Sequence, residues 1–236
     1  DEFSLGVGAI VGSAIFNLLV IPGVSAIFSE NLDSSRSLVH RDAQFYIISV
    51  LLLFVVFALG ATYVPGGTNR AAILTPGFAV LLLVTYAVYL FLHQQDASGY
   101  VGAGASSIRP RREWAVLAVA LVVIAVGVEG LVRAALSLGE TFDTPSFLWG
   151  LTVIAAATSL PDAFVSVNAA KSGDSVTSLA NVLGSNTFNI LVAIPVGILL
   201  GGSATIDFLA AVPTMGFLGL ATLVFVVFTR TNLELS

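Results

Sequence analysis

The residues that could do chemistry fall in two short segments of a 236-residue chain. The first is Thr158-Ser159-Leu160-Pro161-Asp162, set in the middle of an apolar run. Thr158, Asp162 and Ser166 follow at spacings of four, so a helix places them on one face, with Ser159 beside them. A carboxylate inside such a run is costly and marks an ion pathway or site. Pro161 lacks a backbone donor and clashes with the carbonyl of Ala157, which predicts a broken helix and loose carbonyl oxygens around residues 155–158. One carboxylate, two or three hydroxyls and free carbonyls make a set of hard oxygen ligands, suited to Ca²⁺ and similar cations. The bland alternative is a Pro-kinked helix whose hydroxyls bond back to their own backbone. It accounts for Thr158 and Ser159 and leaves Asp162 unexplained.

The second segment occurs twice. Residues 10–24 read IVGSAIFNLLVIPGV and residues 182–196 read VLGSNTFNILVAIPV. At an offset of 172, Gly12, Ser13, Phe16, Asn17, Leu19, Val20 and Val24 match Gly184, Ser185, Phe188, Asn189, Leu191, Val192 and Val196. Apolar bias explains the Leu and Val matches, but not Gly-Ser and Phe-Asn in register. Each copy sets a Ser and an Asn four apart on one helix face, with a Gly beside the Ser that allows close backbone approach. A single copy reads equally well as small-residue helix packing; two copies favour a symmetric site. Asn186 breaks the symmetry, since its counterpart is Ala14, and Asn168, Asn181 and Asn186 read as supporting or packing groups. A weaker match is collinear with the first. Gln44-Phe45 aligns with Asp207-Phe208, and Thr68-Asn69 with Thr231-Asn232, both at an offset of 163.

The elements that must position these groups follow from composition. The chain is 57% apolar and 10% charged, with a mean hydropathy of +0.99, where a soluble domain carries about 25% charged residues. This excludes a soluble globular fold, a disordered chain and a nucleic-acid binder, and leaves a polytopic all-α membrane protein. Its net charge of −5 offers no basic patch for nucleic acid. No Cys is present, which excludes disulfides and thiolate-bound metals. His40 and His93 read as loop residues, 53 positions apart, against a His-ligated metal. With no embedded His and no metal-ligand spacing, neither an enzyme nor a cofactor is expected.

A bilayer-crossing helix needs about 20 apolar residues. Seven runs qualify: 5–28, 43–64, 72–92, 114–136, 146–169, 177–200 and 208–229. The stretch 93–113 is a linker, separating a three-span part (1–92) from a four-span part (114–236). Alternating the spans puts Arg36, Arg41, Arg109, Arg111, Arg112, Lys171 and Arg230 on one side and only Arg70 and Arg133 on the other. The positive-inside rule makes the first side cytoplasmic, and with it the loops 29–42, 93–113 and 171–176. Glu129 and Arg133, four apart, read as an intrahelical ion pair. Gly8–Gly12 and Gly197–Gly201 read as close packing within the bundle. Glu30, Asp33, Asp96, Glu140, Asp143, Asp174 and Glu234 read as solvated loop charges.

Five span positions separate the two copies of the repeat, and an odd number inverts the second in the membrane. Inverted repeats with a midplane site at their interface are the build of many secondary transporters. The counterpart of residues 158–172 would lie before residue 1, and that of 72–92 would begin at residue 235. The repeat therefore predicts a piece of a ten-span protein, short of two spans in front and one behind.

The stretch Thr158–Asp162, followed by Asn181-Val182-Leu183-Gly184-Ser185-Asn186-Thr187-Phe188-Asn189, resembles the second alpha repeat of the sodium/calcium exchanger family, within the calcium/cation antiporter superfamily. Residues 12–17 resemble the end of the first. The resemblance covers the architecture of the whole chain and about 60 residues of motif. It implies ten spans in two inverted halves around a cluster of cation sites, with sodium flow driving calcium the other way by alternating access. The partners it implies are the bilayer and the transported Ca²⁺ and Na⁺. By motif position, Thr158, Ser159 and Asp162 would be cation ligands, joined by Ser185 and Asn189, by Ser13 and Asn17 from the first half, and by carbonyls such as that of Ala155. Three departures stand out. Many microbial members carry Glu where this chain has Asp162. Some carry Asp where it has Asn189, a loss of charge that in related exchangers accompanies independence of potassium. The Thr-Ser-x-Pro-acid element of the first repeat is absent, and with it half the carboxylates of the expected site. The expected activity is Na⁺/Ca²⁺ antiport. Ca²⁺/H⁺ exchange is the alternative, and a cation channel or sensor the third reading.

Overall fold

The computed structural model describes residues 2–28, 36–63, 71–97 and 110–230. Helices dominate: α1 (Glu2–Phe28), α2 (Arg36–Thr62), α3 (Pro76–Ala97), α4 (Pro110–Thr141), a short α5 (Ser146–Trp149), α6 (Ala155–Lys171), α7 (Ser175–Phe188), α8 (Ile194–Gly201) and α9 (Phe208–Arg230). Single π-helical turns, Gly150–Ile154 and Asn189–Ala193, join α5 to α6 and α7 to α8. Among the described residues seven helical stretches are long and apolar enough to cross a membrane: Leu5–Phe28, His40–Thr62, Pro76–Gln95, Arg111–Thr141, Gly150–Lys171, Ser175–Gly201 and Ala211–Phe228. They match the seven apolar runs in number and order, because a helix that is apolar all round has no water-facing side to offer.

α1 sits at the centre, packed on α6, α7, α9 and the π turn ahead of α6. Val11 and Leu18 of α1 join Tyr46 and Leu53 of α2, Leu183 of α7 and Ile194 of α8 in one continuous core. α4 stands apart. It reaches the bundle near Ala135, against Leu5 and Ile154, while Trp114, Val119, Val123 and Val126 are exposed. An apolar face of this extent fits a lipid-contacting helix. Glu129 and Arg133 form the expected pair on α4, 2.6 Å apart and exposed.

Three expectations need correction. The run 72–92 is not one helix: Ala71–Leu74 forms strand β1, paired antiparallel with β2 (Ala204–Asp207) in the register Ala71↔Asp207 to Leu74↔Ala204. The helix starts only at Pro76, whose preset φ and missing N–H suit a first helical position. The segments 29–42 and 93–113 are not loops throughout, since α2 begins at Arg36, α3 continues to Ala97 and α4 begins at Pro110. His40 and His93 are accordingly helical. Glu30, Asp33, Arg70, Arg109, Glu234 and the Thr68-Asn69/Thr231-Asn232 match lie outside the described residues.

The turn between α6 and α7 orients the two helices that matter most. Gly173 takes φ 78° just past the end of α6. Asp174 caps α7, its carboxylate accepting from the Thr177 amide (3.0 Å) and hydroxyl (2.6 Å). Those two hydrogen bonds hold the exposed Asp174 carboxyl below its ordinary pKa, the hydroxyl bond contributing most.

Candidate cation site

The site begins with a helix crossing. A Cβ on Gly12 would lie 2.1 Å from the Leu151 carbonyl oxygen, and one on Gly150 2.1 Å from that of Leu5. Only hydrogen fits at either point, so α1 and the π turn ahead of α6 meet backbone to backbone. This contact brings the polar face of α1 against that of α6. The Ser13 and Ser159 hydroxyls lie 2.8 Å apart, both buried. Asn17, fully buried, turns its amide nitrogen to Asp162 Oδ2 at 3.0 Å. From the other copy of the repeat, the Ser185 hydroxyl donates to Asp162 Oδ1 at 3.0 Å. One half-buried carboxylate is thus held between both copies. Among the described residues no Lys, Arg or His pairs with it; the donors that face it are neutral.

A cleft of about 670 Å³ opens beside this cluster, reaching Ser13, Asp162 and Ser185, with Asn17 and Ser159 buried behind its lining. Its polar lining is Ser13, Thr158, Asp162, Ser185 and Asn189, and α1 and α4 supply apolar lining through Ile10, Val128 and Val132. Convergent polar groups in an apolar cleft are the usual form of a small-ligand site. Asn17 adds an unusual feature: its Oδ1 is buried without a partner. Such an acceptor costs about 1–3 kcal/mol if nothing engages it. The donor set is oxygen throughout, which fits hard cations of the Ca²⁺ and Na⁺ kind. Among the described residues no group of three or more His, Cys, Asp or Glu is close enough to hold a metal. A cation here would meet one carboxylate and several neutral oxygens.

Most of the anticipated residues converge, with differences in detail. Ser13, Asn17, Ser159, Asp162 and Ser185 form the connected cluster, and Asn189 lines the cleft where the second π turn starts. Thr158 also lines the cleft, but its hydroxyl donates to the carbonyls of Ile154 (2.9 Å) and Ala155 (3.2 Å), as the bland alternative requires. The Ala155 carbonyl is therefore already engaged. α6 is not broken at Pro161 but runs through it; the departure from α geometry comes at least about two turns earlier, at Gly150–Ile154. Proline removes a single bond, and packing on either side, with Ser159 and Ser166 fully buried, keeps the helix whole. Ser166 leaves the site to bind α7, donating to the Ser178 carbonyl (3.1 Å) and accepting from Asn181 (3.0 Å). Asn181 also reaches the main-chain carbonyl of Asp162, at 3.2 Å. Gly184 and Gly201 do not mark close approaches, since a Cβ on either would meet nothing within 4 Å.

One residue was read from sequence only as a supporting or packing group, and one was not picked out at all. Asn186 accepts from Asn17 Nδ2 (3.0 Å) and donates to the Ala14 carbonyl (3.2 Å); its one trace in the sequence was the broken repeat symmetry. Asp42, 4% exposed near the start of α2, accepts from the Tyr89 hydroxyl (3.1 Å) and lies 3.8 Å from His93 Nδ1. Nothing in its local sequence distinguishes it from a loop charge.

The bundle and its cleft define a helical membrane protein with an internal polar cleft. The chain matches the family described as sodium/calcium exchanger protein over residues 1–93 and 112–235, and it belongs to that family. It is 31% identical to an uncharacterized membrane protein of Methanocaldococcus jannaschii over 199 residues, 82% of this chain and 60% of that protein. A shorter match, 43% over 53 residues, reaches sodium/potassium/calcium exchanger 5 of Homo sapiens, covering 22% of this chain and 11% of that one. Among solved structures, the sodium-calcium exchanger NCX_Mj shares the fold at a TM-score of 0.65 and 24% identity, covering 99% of this chain and 71% of that one. The chain spans about three fifths of the length of the first curated relatives it matches.

Proposed function

We propose that the protein is a secondary active cation antiporter that exchanges Na⁺ for Ca²⁺. The observation that carries the reading is Asp162, a carboxylate with no cationic partner among the described residues, held between Asn17 of one repeat copy and Ser185 of the other. The ligands would be Asp162 with Ser13, Asn17, Thr158, Ser159, Ser185 and Asn189, and Asp162 would supply the charge. Residues 1–92 and 114–236 would be the two inverted parts, with the site at their interface. The segments 29–42, 93–113 and 171–176 would face the cytoplasm. Asn17 and Ser185 both donate to Asp162, so a cation at this carboxylate would compete with these two donors.

The test is calcium uptake into proteoliposomes loaded with sodium and diluted into sodium-free buffer, with Asp162→Asn alongside. The expected result is uptake that needs the sodium gradient and disappears in the variant. Uptake driven by a proton gradient would replace sodium by protons as the counter-ion. A downhill leak with no counter-ion would make the protein a channel, and an Asp162→Asn variant as active as the parent would remove Asp162 from the site.

A further inference from the structure

We infer that Asn186 sets the orientation of the Asn17 carboxamide and so keeps the Asn17 carbonyl open to a cation. The inference rests on the cation-site reading above and concerns a residue outside its ligand set. The orientation follows from groups that can only accept hydrogen bonds. The Ala14 carbonyl accepts, so Asn186 must turn its NH₂ toward it (3.2 Å), which leaves Asn186 Oδ1 facing Asn17. That oxygen accepts in turn, so Asn17 must present its NH₂ (3.0 Å). The Asp162 carboxylate takes the other hydrogen of the same NH₂, at 3.0 Å. Both hydrogens are committed, and Asn17 Oδ1 is left buried with no donor. Inverting the amide would press Asn17 Oδ1 against Asn186 Oδ1 and Asp162 Oδ2, two contacts between acceptors.

A cation arriving at Asp162 competes with the Asn17 NH₂ for the carboxylate. Once it wins, Asp162 no longer holds the amide, and Asn186 is the restraint that remains. Asn186 is suited to this. It is fully buried, and its carboxamide is engaged at both ends, donating to the Ala14 carbonyl and accepting from Asn17. The bond to the Ala14 main-chain carbonyl holds it independently of what occupies the cleft. Asn186 is a positioning residue, acting on the cation through Asn17.

The experiment is a double-mutant cycle read as calcium affinity. Calcium chloride is titrated calorimetrically into the purified protein, into Asn186→Leu, into Asn17→Leu and into the double variant. Asn186→Leu should weaken calcium binding about tenfold, the worth of one net hydrogen bond. In the Asn17→Leu background the same substitution should change nothing further, a coupling that a merely structural role would not produce. An unchanged affinity in Asn186→Leu, or an equal loss in both backgrounds, overturns the inference. Should the leucine variant not fold, Asn186→Ala removes the carboxamide without adding bulk and closes the same cycle. Asp162→Asn separates this inference from the reading beneath it. If that variant binds calcium as the parent does, the cation site is misplaced. If it does not bind while Asn186→Leu binds normally, only the role of Asn186 fails.

Discussion

Gly12 and Gly184 occupy equivalent places in the internal repeat, yet the structure gives them opposite surroundings, and Gly→Ala at each should separate sharply. At Gly12 the new methyl would lie 2.1 Å from the Leu151 oxygen, 2.6 Å from the Ala155 Cβ and 2.8 Å from the Leu151 carbonyl carbon, where real Cβ contacts essentially never fall below 3.0 Å. The neighbours at fault are backbone and a Cβ, which cannot swing aside, so α1 must retreat by about 1 Å. Overpacking of this kind costs about 1–3 kcal/mol. The retreat also stretches the Ser13–Ser159 and Asn17–Asp162 bonds from 2.8 and 3.0 Å toward the limit of hydrogen bonding. Each is worth about 0.5–1.5 kcal/mol net, so the full loss is about 2–6 kcal/mol. For a chain of this length that lowers the melting temperature by on the order of 10 °C. At Gly184 nothing lies within 4 Å, and alanine in a helix interior gains about 0.5–1 kcal/mol over glycine. Thermal unfolding of both variants in detergent, followed by the fluorescence of Trp114 and Trp149, makes the comparison. Calcium binding should fall in Gly12→Ala together with stability. Equal melting temperatures for the two variants would refute the close crossing and the site built on it.

Ser159→Ala strands the buried Ser13 hydroxyl and should cost about 1–3 kcal/mol; the double variant Ser13→Ala/Ser159→Ala should recover part of this, as chemical denaturation in detergent would show. Tyr89→Phe removes the hydroxyl that donates to the buried Asp42 carboxylate and should cost a similar amount, measured in the same way. Asp174→Ala removes the cap of α7 and should destabilise by about 1 kcal/mol at neutral pH. Because the folded-state pKa of Asp174 is depressed below 3.8, that difference is complete above the unfolded value and is lost as pH falls through the lower folded one. Unfolding of parent and variant across an acid pH series checks the sign: the gap must close downward.

The helical spans were legible because crossing a bilayer imposes a length and a composition that a sequence cannot hide. The β1 segment, Ala71–Leu74, was not, because four apolar residues beside an apolar helix carry no period of their own. Its partner strand lies more than 130 positions on, and only that pairing makes it a strand. Asp162 announced itself by its cost at the centre of a span, and Ser13, Asn17 and Ser185 by recurring in register. Asn186 was legible only as a supporting or packing group, since the partners that give it a role belong to α1. Thr158 went partly the other way: its hydroxyl and the Ala155 carbonyl satisfy each other locally. The unwinding expected at Pro161 moved to Gly150, where the constraint is not the missing N–H of a proline but the need of two backbones to touch.

The short ladder between β1 and β2 bears on how this chain can diverge. It joins the segment that follows α2 to the segment that precedes α9 by main-chain hydrogen bonds, over four paired positions. Such bonds do not depend on which side chains the strands carry, apart from proline. The union of the early and late parts of the chain at this end is therefore insulated from drift. Substitution can proceed at the partly exposed positions, such as Ala71, Ile73 and Thr205, while the join persists; Ala72, Leu74 and Ile206 are held by the core. The opposite holds across the cleft, where the Ser13–Ser159 and Asn17–Asp162 bonds and the close contact at Gly12 each depend on a particular residue. One molecule thus holds its halves together twice, once in a way that tolerates mutation and once in a way that records it.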